Sequence, residues 1–188
     1  ATDQISNVTL SRSADGQGAL FANNVLHNTN SDTFAQWSVT ADFVRGENPQ
    51  YNAFSGIIGT IESKAVVNLI INRAEYGDNN DGKNINISGS ENVGLVCGTM
   101  KTGSSLSVTI QGNPDTTKSY DVKSTSNNAG GFVGEMESNS VLTINSDFNT
   151  SGTITATTKY AGGLVGKATD ATVIFSGSET EKPTVTAT

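Results

Sequence analysis

Apolar positions in this chain come in short bursts, with polar residues at the alternate places. The longest burst is Ala65 to Ile71. Leu106-Ser107-Val108-Thr109-Ile110, Val141-Leu142-Thr143-Ile144 and Val173-Ile174-Phe175 are shorter ones, and Trp37-Ser38-Val39 is a looser match. β-Branched residues at period two are the chemistry of strands. A second series has the same character: Val8-Thr9-Leu10, Ile85-Asn86-Ile87, Tyr120-Asp121-Val122 and Ile154-Thr155-Ala156, with Asp42-Phe43-Val44 as the best candidate to complete it. A 3.6-residue period is nowhere sustained, and the segment from Asn23 to Gln36 is the one place left for a cap helix or a loop.

Between the two series lies a small-residue unit that recurs. Its copies are Gly18 to Ala22 (GALFA), Ser55 to Gly59 (SGIIG), Val93 to Gly98 (VGLVCG), Gly130 to Gly134 (GGFVG) and Gly162 to Gly166 (GGLVG). Taking Ala19, Gly56, Gly94, Gly131 and Gly163 as markers, the spacings are 37, 38, 37 and 32 residues. Self-similarity at such a period signals a repeat architecture. Each period holds three short strands, two short corners and one long corner rich in turn residues, such as Glu75 to Lys83, Gly112 to Lys118 and Ser146 to Gly152. The expected fold is all-β: a parallel β-helix (β-solenoid) of about five coils of three short strands, right-handed as parallel crossovers generally are. Repeats fall near 8–40, 41–80, 81–115, 116–148 and 149–178, making one domain over 1–178. The Thr-rich segment 179–188 reads as a linker to neighbouring domains of a larger polypeptide, and the opening ATDQISNVTL as a processed or excised beginning.

The residues after the last glycine of each copy sharpen the register. Thr60, Thr99, Glu135 and Lys167 come first, Ile61, Met100, Met136 and Ala168 second, and Glu62, Lys101, Glu137 and Thr169 third. An apolar set between two polar sets is strand alternation held across four coils. It stacks Lys101 against acidic neighbours on both sides. The glycines then serve close packing or a positive φ. Cys97 lengthens its copy by one residue, as a β-bulge would.

Composition narrows the function. Of 188 residues, 35 % are apolar and 15 % charged, so Ser, Thr, Asn and Gly fill the surface. A net charge of −7 with 11 basic residues argues against nucleic acid and against an anionic membrane surface. No apolar run has membrane-spanning length, so membrane insertion is not expected. Cys97 is the single cysteine and His27 the single histidine, which leaves no disulfide, no Cys-based metal site and no nearby base to activate the thiol.

Four segments approach a sharper chemistry. Gly162 to Lys167 falls short of a phosphate loop, because three residues rather than four separate the glycines and Ala168 follows the lysine. Glu135 and Glu137, flanked by Lys101 and Lys167, are the nearest thing to a paired carboxylate for glycan cleavage. Asp78 to Asp81 is one residue short of a calcium loop and lacks its distal Glu. The outward leading-strand positions (Asn84/Asn86, Ser119/Asp121, Thr153/Thr155) make no regular Thr array for ice. No cofactor and no resident metal are expected.

The GGFVG and GGLVG units, each followed by a polar strand, resemble the GLUG-type repeats of bacterial surface proteins, with Gly130 to Met136 and Gly162 to Ala168 matching best and the first copy poorly. The resemblance implies an extracellular, cell-surface module of large adhesin-like proteins, and it transfers no catalytic residue. The expected function is therefore non-enzymatic: adhesion, binding of a host or matrix protein or glycan (an immunoglobulin or mucin among them), or spacing of other modules. Tyr76, Tyr120 and Tyr160, near the variable corners, are the candidate binding residues. The alternative is a polysaccharide-acting β-helix enzyme, a lyase or glycosidase.

Overall fold

Short alternating runs are too brief to bury a face alone, so each must find the same run in the next repeat. The computed structural model shows this pairing. It describes residues 22–25, 36–42, 50–52, 57–72, 85–111, 120–145, 148–149, 153–176, 179–181 and 184–187, with side chains for 57–70, 88–109, 121–145 and 153–176. Repeat one contributes β1 (Ala22–Val25) and β2 (Gln36–Asp42), and repeat two β3 (Gln50–Asn52), β4 (Ile58–Ile61) and β5 (Val66–Asn72). Repeat three has β6 (Ile85–Gly89), β7 (Val93–Gly94), β8 (Cys97–Met100) and β9 (Ser105–Gln111). Repeat four has β10 (Tyr120–Ser124), β11 (Ala129–Gly130), β12 (Val133–Met136), β13 (Val141–Ile144) and β14 (Phe148–Asn149). Repeat five has β15 (Thr153–Ala156), β16 (Ala161–Gly162), β17 (Val165–Ala168), β18 (Thr172–Phe175) and β19 (Glu179–Glu181), and β20 (Thr184–Ala187) follows.

Every strand pair is parallel, and no helix occurs among the described residues. The sheets run in repeat order: β1-β4-β8-β12-β17, β3-β6-β10-β15-β20, β7-β11-β16, β2-β5-β9-β13-β18 and β14-β19. Each strand thus pairs only with its counterparts in the adjacent repeats. The described residues are all-β, with parallel strands layered in a solenoid-like manner.

Register turns the alternation into rows. Val67, Leu106 and Leu142 align and are fully buried, as are Leu69, Val108 and Ile144 at the next inward place. Ile61, Met100 and Met136 form a third buried row, with the flanking polar sets half-buried, as the alternation predicts. The leading strands add Val122 with Ile154 and Ser124 with Ala156. Each buried aliphatic side chain contributes about 1.5–3 kcal/mol over exposure. Phe132 is the largest fully buried residue among those described.

Several expectations need correction. Repeat three contributes four strands rather than three, and repeats four and five contribute five each, because the residue pairs Val93–Gly94, Ala129–Gly130 and Ala161–Gly162 make their own sheet and β14 pairs with β19 in another. Cys97 is not an inserted bulge residue. It pairs with Val133, which pairs with Val165, and Gly94 aligns with Gly130 and Gly162, so VGLVCG matches AGGFVG and AGGLVG place for place. Ala22 pairs with Ile58 rather than aligning with Gly59, so the first copy is shifted by one. The leading strand of repeat two is Gln50–Asn52, not Asp42-Phe43-Val44, and Asp42 closes β2. Asn23 to Val25 belong to β1, which excludes a helix there. Within the segment 179–188, Glu179–Glu181 and Thr184–Ala187 form β19 and β20, paired in parallel with β14 and β15. Val8 to Leu10, Gly56, Tyr76 and Asp78 to Asp81 lie outside the described residues.

The glycines do one job and the next turn does the other. A Cβ on Gly130 would overlap the Val133 carbonyl and lie 2.6 Å from the Gly166 nitrogen, and one on Gly134 would lie 2.6 Å from the Val93 nitrogen. Close approach is what these positions require. Positive φ belongs instead to the turn after each motif strand, at Lys64 (64°), Gly103 (70°), Asn139 (59°) and Asp170 (45°). Those turns also stack: the Lys64 amide donates to the Thr102 carbonyl, that of Gly103 to Ser138 and that of Asn139 to Asp170.

Candidate functional site

The parallel register sets residues of like position one strand apart, so charges placed every 32 to 39 residues become neighbours. On the face carried by β4, β8, β12 and β17, Lys167 Nζ lies 2.7 Å from Glu135 Oε1, and Asn92 Nδ2 donates to Glu135 Oε2 at 2.7 Å. Asn92 Nδ2 also reaches Thr99 Oγ1 at 3.0 Å. In the next row Lys101 Nζ donates to Glu137 Oε1 at 2.8 Å, while the Thr102 amide and hydroxyl each donate to Glu137 Oε2 at 3.2 Å. All four carboxylate oxygens are therefore engaged across repeats.

The ionisation states follow from these contacts. Burial works against charge on Glu135, but the hydrogen bonds from Lys167 and Asn92 outweigh it and hold the carboxyl below its ordinary value. Glu137 is likewise opposed by burial and held down by Lys101 and Thr102. The hydrogen bond to Glu137 raises Lys101, with Glu62 and Glu135 adding to it, and that to Glu135 raises Lys167. Each carboxylate is thereby paired with an amine of an adjacent repeat, Glu135 with Lys167 and Glu137 with Lys101. The cluster is a set of inter-repeat ion pairs.

A second ladder is absent from the expectations above. Asn128, 1 % exposed, donates Nδ2–H to Asn92 Oδ1 at 2.9 Å, its amide donates to the same oxygen at 3.2 Å, and the Tyr160 amide donates to Asn128 Oδ1 at 3.3 Å. The sequence does carry a signal: an asparagine stands two residues before the aligned glycine in both Asn92-Val93-Gly94 and Asn128-Ala129-Gly130. Ser124 and Ser140 are buried with donors satisfied, by the Glu91 carbonyl at 2.7 Å and the Glu137 carbonyl at 2.6 Å. Ser104 is buried with its hydroxyl unpaired.

The structure separates the candidate tyrosines. Tyr160 is 59 % exposed at the Asn-ladder position of repeat five. Tyr120 opens β10 opposite Ile85, a different place in the repeat. Cys97 is fully buried, its thiol donates to the Thr99 carbonyl at 3.3 Å, and burial pushes its pKa up to about 12, so it is inert as a nucleophile. Among the described residues no three His, Cys, Asp or Glu side chains gather to hold a metal. Comparison with protein-family models, with curated proteins and with solved structures returned no match.

Proposed function

We propose that each repeat closes into one coil of a right-handed β-solenoid, and that this solenoid is a non-enzymatic repeat module of a bacterial cell-surface protein. Its work is to hold other modules away from the cell and to carry outward side chains for contact with a host or matrix protein or glycan. The observation that carries this reading is the use made of the surface charge: Glu135 and Glu137 spend all four oxygens on neighbouring repeats. The same observation weighs against a glycosidase, whose general acid is a carboxyl held protonated at working pH. The likeness of GGFVG and GGLVG to GLUG-type repeats supports the surface location. Tyr160, exposed where its counterpart Asn128 is buried, is the first contact residue to test, with Tyr120 and Tyr76 after it.

The test is a polysaccharide turnover panel run beside a glycan and matrix-protein binding array, on the parent chain, Tyr160→Ala and Glu135→Gln/Glu137→Gln. No turnover by any form is expected, with the double variant losing stability. A polysaccharide cleaved by the parent and spared by the folded double variant would overturn the non-enzymatic reading.

A further inference from the structure

We propose that the end of the stack at repeat five is a docking surface for one more repeat of the same kind, laid on from β20. Three strands, β16, β17 and β18, are the last in their sheets. Places that are sealed in repeat four stand open in repeat five: Leu142 is 0 % exposed but its partner Val173 is 39 %, and Met136 is buried while its partner Ala168 is exposed. The backbone agrees. In repeat four the amides of Ala129, Gly131, Phe132 and Val133 donate up the stack to the carbonyls of Tyr160, Gly162, Leu164 and again Leu164, at 2.8 to 3.2 Å. Ala161, Gly163, Leu164 and Val165 hold the corresponding places in repeat five, and among the described residues no strand lies beyond them.

The chain itself names the occupant. β19 already lies on β14, and β20 on β15, continuing the stacking by which every earlier repeat is laid down. β20 pairs Thr184 to Thr153, Val185 to Ile154, Thr186 to Thr155 and Ala187 to Ala156. The stretch Thr184 to Thr188 reads TVTAT against TITAT for Thr153 to Thr157, one conservative change in five. In repeat five this stretch leads into β16. The surface therefore fits a parallel strand set with a small-residue-glycine pair over Ala161–Gly162 and apolar side chains over Val165 and Val173. An exposed edge of this kind is otherwise a site for unwanted pairing.

The experiment appends a copy of residues 158–176 after Thr188 of the full chain, and as control a tail of the same composition in scrambled order. The expected result is a melting temperature several degrees above that of the parent for the native-order tail alone. Amide exchange at Ala161, Gly163, Leu164 and Val165 should also slow by about tenfold or more. No change with either tail, or equal change with both, overturns the proposal. So does a parent chain whose four amides are already protected and which sediments as a dimer, since a second copy would then be the occupant.

Discussion

Replacing Gly130 by Ala tests the steric role of the repeated glycines. The added Cβ would run into the Val133 carbonyl from its own repeat and lie 2.6 Å from the Gly166 nitrogen of the next. Both obstacles are backbone, so neither can rotate away, and the repeats must shift. Overpacking in a tight interior costs typically 1–3 kcal/mol, and an unyielding site belongs at or beyond the top of that range, about 3 kcal/mol. For a chain of this size that is a melting point lower by roughly 6–12 °C. Gly103 is the control. There the nearest obstacle to a Cβ is the flexible Lys64 side chain at 3.8 Å, so Gly103→Ala pays only for φ of +70°, about 1–2 kcal/mol. Gly103→Asn, which copies Asn139 at the same turn, should cost less still. Urea and thermal unfolding followed by circular dichroism give the comparison. A Gly130→Ala variant no less stable than Gly103→Ala would refute the close-approach argument.

Four further outcomes are expected. A double-mutant cycle on Lys101 and Glu137, side chains 39 % and 35 % exposed, should give a coupling of about 0.2–1 kcal/mol that shrinks in 1 M salt. Because Glu135 and Glu137 titrate lower when folded than when unfolded, their contribution is complete above the ordinary carboxyl value of 4.5 and lost as pH falls through their lowered values, so urea midpoints should drop below pH 4.5 and hold steady between about 5.5 and 8. Ser104→Ala, which removes an unpaired buried hydroxyl at a place where repeat two carries Ala65, should be neutral or stabilising, whereas Ser140→Ala breaks a 2.6 Å bond and should cost about 1 kcal/mol by chemical denaturation. Cys97 should resist thiol reagents until the chain unfolds, and Cys97→Val should cost less than about 1.5 kcal/mol because Val133 and Val165 stand at the same place in their repeats.

Most of the layering is legible in the sequence, because a period-two pattern that returns at near-constant spacing buries its apolar face only when like strands stack. The trailing strands and the Ile61, Met100 and Met136 row stand where alternation puts them. The departures have physical causes. Alignment on glycine identity misleads where two glycines adjoin: it matches Gly94 to Gly131, while backbone pairing matches Gly94 to Gly130 and puts Leu95 opposite the second. Gln50-Tyr51-Asn52 gives no strand signal because one apolar residue behind a proline shows no period. Thr184 to Thr188 has the composition of a linker, although Thr184–Ala187 lies in register with Thr153–Ala156. The ion pairs can be foreseen from charge order alone. The Asn92 and Asn128 ladder cannot, since buried amide pairing leaves no hydrophobic trace in the pattern.

Methyl NOE spectroscopy tests the stacked register most directly. Parallel repeats in this register require cross-peaks joining Ile61 to Met100, Met100 to Met136 and Met136 to Ala168, residues 32 to 39 positions apart in sequence. Strands in parallel sheets lie about 4.8 Å apart, well within reach of the method. The predicted result is this unbroken chain of nearest-repeat contacts. Contacts instead between the trailing and leading strands of a single period, as in antiparallel hairpins, would contradict it.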